Sequence, residues 1–170
     1  MTRYVCNALI AAAMAVCGFA AAQPVNDQFI PREAKAALDR LHPGWKLAAI
    51  SNDDRRICFR KESSFQPALV WGDFNGDGKK DYAALVEYGG KTGVVILLAG
   101  GQGYKPVEVF KTTKPGERAP SLLDVVPKGM PAGSYRRKLP QETVMMQYCE
   151  SSSVIFVYAN GSFRQVVTED

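Results

Sequence analysis

Between two aspartates the chain reads Asp73-Phe74-Asn75-Gly76-Asp77-Gly78-Lys79-Lys80-Asp81, with oxygen-bearing side chains at alternate positions. A hard divalent cation takes up such oxygens: Ca²⁺ binds six to eight of them at about 2.3–2.6 Å. Alternation lets Asp73, Asn75 and Asp77 turn inward together, and Gly78 permits the sharp turn that returns Asp81 to the same ion. A lysine side chain cannot bind a cation, so Lys79 joins this ligand set through its carbonyl. Mg²⁺ fits less well, because it keeps several waters and seldom fills an all-protein cage. The competing reading is a metal-free turn, since Asn-Gly and Asp-Gly build ordinary turns that Asp side chains can cap. Against it stands the repulsion of three carboxylates within nine residues, which a cation relieves.

The flanks decide what kind of loop this is. An EF-hand requires a bidentate Glu at position twelve and a helix on either side. Position twelve counted from Asp73 is Ala84, and Glu87 comes too late. Ala68-Leu69-Val70-Trp71 before the loop and Tyr82-Ala83-Ala84-Leu85-Val86-Glu87-Tyr88 after it are short apolar runs bounded by turn residues, the pattern of strands. The loop is therefore expected to join two strands of a β-hairpin and to close at Asp81.

With these residues in view, Gly72 to Ala83 resembles the calcium-binding repeat of FG-GAP and VCBS proteins, the type also found in integrin α-chain propellers. Val94-Val95-Ile96-Leu97-Leu98 followed by Gly101-Gln102-Gly103-Tyr104 looks like the later strand and Gly-rich turn of such a blade. The resemblance implies calcium ligation by Asp73, Asn75, Asp77 and Asp81, with the carbonyl of Lys79. It covers roughly residues 69 to 110. Those families repeat the motif around a propeller of about four to eight blades, whereas this chain holds one copy. The adhesion and ligand-binding functions of propellers therefore do not carry over.

The first residues read as a secretory signal peptide. Arg3 supplies the positive start, Ala8 to Val16 an apolar run, and Ala20-Ala21-Ala22 a small-residue cleavage site, so the mature chain is expected to begin at Gln23. A membrane anchor is the alternative, but the run is short, interrupted at Asn7 and rich in alanine. A lipoprotein would need small residues just before Cys17, where Val16 stands. Removing residues 1–22 of the 170 leaves 148, enough for one domain over residues 23–170 with its own core. Cys6 and Cys17 leave with the leader, and the remaining pair, Cys58 and Cys149, is expected to form a disulfide. A catalytic thiol would need an activating base, and the single histidine, His42, is distant in sequence. The compartment is then periplasmic or secreted.

Only Arg3 of the 21 basic residues is lost with the leader, leaving 20 against 17 acidic ones. Arg55-Arg56, Arg60-Lys61 and Arg136-Arg137-Lys138 are groups that an anionic surface or partner can meet, although such groups are more often solvated faces. No aromatic residues interleave with them as single-stranded nucleic acid would require, and no nucleic-acid partner is expected. Gly89-Gly90-Lys91-Thr92 ends like a phosphate-binding loop, but the Gly required five residues before Gly90 is Leu85.

Pro31 can open a helix, and Ala34, Ala37, Leu38 and Leu41 form one apolar stripe, predicting a helix over about 31–42 stopped by His42-Pro43-Gly44. His42 is placed to complement the helix C-terminus, and Trp45 to pack the helix on a sheet. Strands are predicted near 46–51, 57–61, 68–71, 82–88, 94–99, 107–111, 122–126, 143–150, 154–158 and 163–168, with Asn160-Gly161 as a tight hairpin turn. Residues 114–120 and 127–140 read as Pro/Gly-rich loops and candidate contact surfaces, disorder being the commoner outcome for such stretches. The fold class is α+β, mostly β: antiparallel sheets, one N-terminal helix, one disulfide and one calcium-binding hairpin loop.

Together these features predict an exported, non-enzymatic calcium-binding protein whose Ca²⁺ is structural and which binds a protein or envelope component. A second reading is a small periplasmic inhibitor of an enzyme such as a cell-wall hydrolase. A hydrolase is disfavoured: no His, nucleophile elbow or second metal motif accompanies the loop, although Glu87, Asp124, Glu142 and Glu150 could meet in space as a glycosidase pair.

Overall fold

The computed structural model describes residues 29–49, 68–114, 116–149 and 151–168. Its elements are α1 (Arg32–Leu41), β1 (Lys46–Leu47), β2 (Leu69–Gly72), β3 (Asp81–Tyr88), β4 (Lys91–Gly100), β5 (Gly103–Lys111), β6 (Leu122–Val126), β7 (Thr143–Gln147), β8 (Ser153–Ala159) and β9 (Ser162–Thr168). The protein is thus mostly β with a single helix among the described residues. The expected strand at 57–61, Cys58 and the leader lie outside them.

Two antiparallel sheets form. The first runs β1-β3-β4-β5, with β2 also paired to β3; the second runs β6-β7-β8-β9. Residues alternate faces along a strand, and β3 and β4 use both. Ala83, Leu85, Val94 and Ile96 face the second sheet, where Leu123, Val144, Met146, Val154 and Phe156 meet them. Tyr82, Ala84, Val86, Val95 and Leu97 face the helix. A strand covered on both sides reads as a continuous apolar run, which is what 82–86 and 94–98 show.

Helix α1 lays Ala34, Ala37 and Leu38, all fully buried, on the first sheet. Its predicted stripe also included Leu41, which is exposed; the end of the helix is held to the sheet through His42 instead. Trp45 joins the same cluster as expected, and its indole N–H donates to Asp39 at 2.8 Å. Full burial of a side chain such as Leu38 is worth about 1.5–3 kcal/mol.

Strand β7 stops at Gln147 rather than at residue 150. The Tyr148 N–H bonds the Ser152 carbonyl and the Ser151 N–H the Tyr148 carbonyl, folding the chain back at once. Asn160 (φ 52°) and Gly161 (φ 79°) make the two-residue turn from β8 to β9. Residues 127–140, a stretch type in which disorder is common, instead form an ordered loop. Ala132 and Leu139 are buried from this loop against Val126 and Ile155, which covers the outer face of the second sheet.

Candidate metal centre

Gly72 and Asp81 are the last paired residues of β2 and β3, so the hairpin closes on an eight-residue loop, 73–80. Gly76 (φ 77°) and Gly78 (φ 80°) take left-handed conformations that a side chain disfavours. Asp73 organises the turn. One of its carboxylate oxygens, Oδ1, accepts the N–H of Gly76 at 2.8 Å and of Asp77 at 3.0 Å, and Oδ2 accepts that of Gly78 at 3.0 Å. Asn75 Oδ1 accepts the Asp77 N–H at 2.9 Å, and Asp77 Oδ1 accepts the Lys79 N–H at 2.9 Å. That last bond, with help from the Asn75 side chain and the Lys79 charge, holds the Asp77 carboxyl below the usual carboxylate range against some desolvation. The Lys79 ammonium lies 3.6 Å from Asp77 Oδ2.

Asp81 differs from the others. It is wholly buried, and its two oxygens accept the N–H groups of Phe74 at 3.0 Å and Ala99 at 2.8 Å. Burial pushes its carboxyl up, the two N–H groups oppose this, and the negative charges of Asp77 and Asp73 add to the rise. Asp81 thereby ties the loop to β4, and Phe74, 1 % exposed, carries the loop into the core between the sheets.

A fourth carboxylate reaches the loop from the second sheet. Glu142 Oε2 accepts the Asp73 N–H at 2.7 Å. It also fills the space where a Cβ on Gly72 would stand, 2.7 Å away. The sequence reading placed Glu142 only among possible paired acids, and nothing local signals its contact across 69 positions. Of the other three, Glu87 and Asp124 are exposed on β3 and β6, and Glu150 is outside the described residues.

The donors are all hard oxygens, the chemistry that suits Ca²⁺. A carboxylate has about four acceptor sites and an amide oxygen two, so Asp73, Asn75, Asp77 and Asp81 each keep acceptor capacity beyond the bonds named. These bonds orient the side chains toward the loop backbone, and among the described residues no group of three or more His, Cys, Asp or Glu is arranged to hold a metal. Lys79 is exposed, and its carbonyl is the atom the ligand set would use.

His42 is the C-cap residue of α1, where its backbone N–H bonds the Leu38 carbonyl at 2.8 Å. Its ring goes elsewhere. It stacks on Tyr88, with centroids 3.5 Å apart, and Nε2 lies 2.9 Å from Glu108 Oε1, which also accepts the Tyr88 hydroxyl. This group fastens the helix end to β3 and β5. Cys149, near the end of β7, is buried, and its N–H donates to Ser121 Oγ at 3.1 Å. No known protein family, curated protein or solved structure matches the chain. No helix among the described residues is long and apolar enough to cross a membrane.

Proposed function

We propose that this is an exported, non-enzymatic calcium-binding protein in which Ca²⁺ is held by Asp73, Asn75, Asp77, Asp81 and the Lys79 carbonyl, in a single FG-GAP/VCBS-like repeat. The observation that carries the reading is the loop's internal order. Asp73 alone accepts three backbone N–H groups, which holds the oxygen-bearing side chains on one ordered turn with Lys79 beside it. A bound cation would neutralise the crowded carboxylates and clamp the hairpin. Residues 1–22 act as the leader, the protein resides in the periplasm or outside the cell, and its binding role is directed at a protein or envelope component.

A Cys58–Cys149 disulfide belongs to the same reading, and it is supported by the disulfide-bonded state of Cys149 and by these being the two cysteines that remain after the leader. Closing a loop of that length is worth about 4–5 kcal/mol in chain-entropy terms, usually an overestimate. Calorimetric titration of the processed protein with Ca²⁺, and of a variant with Asp73 and Asp77 changed to alanine, tests the proposal. Saturable heat in the wild type that disappears in the variant supports it. No calcium heat in the wild type leaves the loop a metal-free turn.

A further inference from the structure

We propose that the β6–β7 loop, residues 127–140, docks the protein on an anionic phospholipid surface. This names the partner in the binding role above. It does not depend on calcium, because the loop lies on the outer face of the second sheet and contributes no ligand.

The loop concentrates charge. Lys128, Arg136, Arg137 and Lys138 are all exposed, and no acidic residue occurs between Asp124 and Glu142. Among the described residues none of the four has a hydrogen-bonding or ion-pairing side-chain partner. Lys79 and Lys111, by comparison, each lie near a carboxylate.

The loop also holds a fixed shape. Ala132 and Tyr135 exchange backbone bonds of 3.2 and 2.8 Å. The Gly129 N–H bonds the Leu139 carbonyl at 2.9 Å and the Leu139 N–H the Met130 carbonyl at 3.3 Å. Those last two bonds set Lys128-Gly129-Met130 beside Lys138-Leu139. Buried Ala132 and Leu139 anchor the loop from below. Met130, 53 % exposed, stands on this loop beside Lys128 and Lys138. Unpaired cations around an exposed, flexible apolar side chain match a lipid surface, where phosphates attract the charges and the apolar side chain enters the acyl boundary. A soluble polyanion would use the charges but gain nothing from Met130.

The test is co-sedimentation of the processed protein, in chelator, with phosphatidylcholine vesicles that contain or lack phosphatidylglycerol. Binding is expected only to the anionic vesicles, and it should weaken with salt as the Debye length shortens. Each cation near such a surface contributes about a fivefold gain in affinity, so R136Q/R137Q/K138Q should weaken binding by about a hundredfold. All three positions are exposed, and an unchanged melting temperature will show that the variant is folded. Met130→Ser, with every charge intact, should weaken binding several-fold. The proposal is overturned if the wild type ignores anionic vesicles, binds both kinds alike, or is matched by the folded triple variant. Binding to soluble polyglutamate but not to vesicles would also overturn it, in favour of a soluble acidic partner. Calcium heat is read separately, so failure here and failure of the calcium reading are distinguishable.

Discussion

Glu142 accepts the backbone N–H of Asp73 at 2.7 Å across the gap between the two sheets. The first residue of the acidic loop is therefore fixed by a side chain from the opposite half of the molecule. The contact requires a glycine next to it, because a Cβ on Gly72 would stand 2.7 Å from Glu142 Oε2 and 2.8 Å from Phe74 Cε1.

Three substitutions follow from that contact. Gly72→Ala should displace Glu142 and destabilise the protein by about 1–3 kcal/mol, the usual cost of overpacking. Glu142→Gln keeps an oxygen for the Asp73 N–H and should cost less than Glu142→Ala, which strands that donor at about 1–3 kcal/mol. Urea unfolding of the three variants orders them. Equal stability of Glu142→Ala and wild type would mean that the sheets do not depend on this bond.

The Tyr88 hydroxyl donates to Glu108, whose Oε1 also meets His42. Burial first, then the bond to Glu108 and its charge, pushes the Tyr88 phenol well above its ordinary 10.0. Above pH 10 the unfolded chain releases this proton while the folded chain keeps it. Stability is thus fully present below about pH 10 and falls as pH rises beyond it. Burial raises Tyr104 and Tyr148 as well, so Tyr88→Phe should flatten the alkaline loss of stability without abolishing it. Melting temperatures from neutral to alkaline pH check this, and an identical slope in the variant would remove Tyr88 from the account.

Local signals served well where chemistry and period act locally. Asn160-Gly161 marked its turn, the Ala34-Ala37-Leu38 stripe marked the buried side of α1, and the flanks of 73–81 marked a loop joining two strands of a hairpin. What escaped was set by tertiary neighbours. Leu41 fits the apolar period, yet it stays exposed and joins neither cluster of the first sheet. Residues 127–140 look like an open Pro/Gly stretch, and their order comes from Ala132 and Leu139 finding the outer face of the second sheet. The ring of His42 was expected to serve its own helix; it was drawn to Glu108, 66 positions away. The two roles of the loop carboxylates were also hidden, since Asp77 and Asp81 look alike in sequence yet one is exposed and the other wholly buried.

That last difference separates metal binding from architecture. Asp77 holds one N–H, that of Lys79, at the surface, and an asparagine oxygen can still accept it. Asp77→Asn should therefore leave stability in chelator within about 0.5 kcal/mol of wild type, while removing a charge that a cation needs. Asp81 accepts two N–H groups with its two oxygens, one of them the buried Phe74 N–H. An asparagine there offers one oxygen and turns its NH₂ toward the other donor, so Asp81→Asn should cost about 1–3 kcal/mol even without calcium. Calcium at about a hundred times its dissociation constant should add about 2.7 kcal/mol to the wild type and much less to either variant. Unfolding in chelator and in calcium gives all five comparisons. If Asp77→Asn lowers stability in chelator as much as Asp81→Asn, the surface carboxylates are structural acceptors too. A wild type indifferent to calcium would remove the metal from the loop altogether.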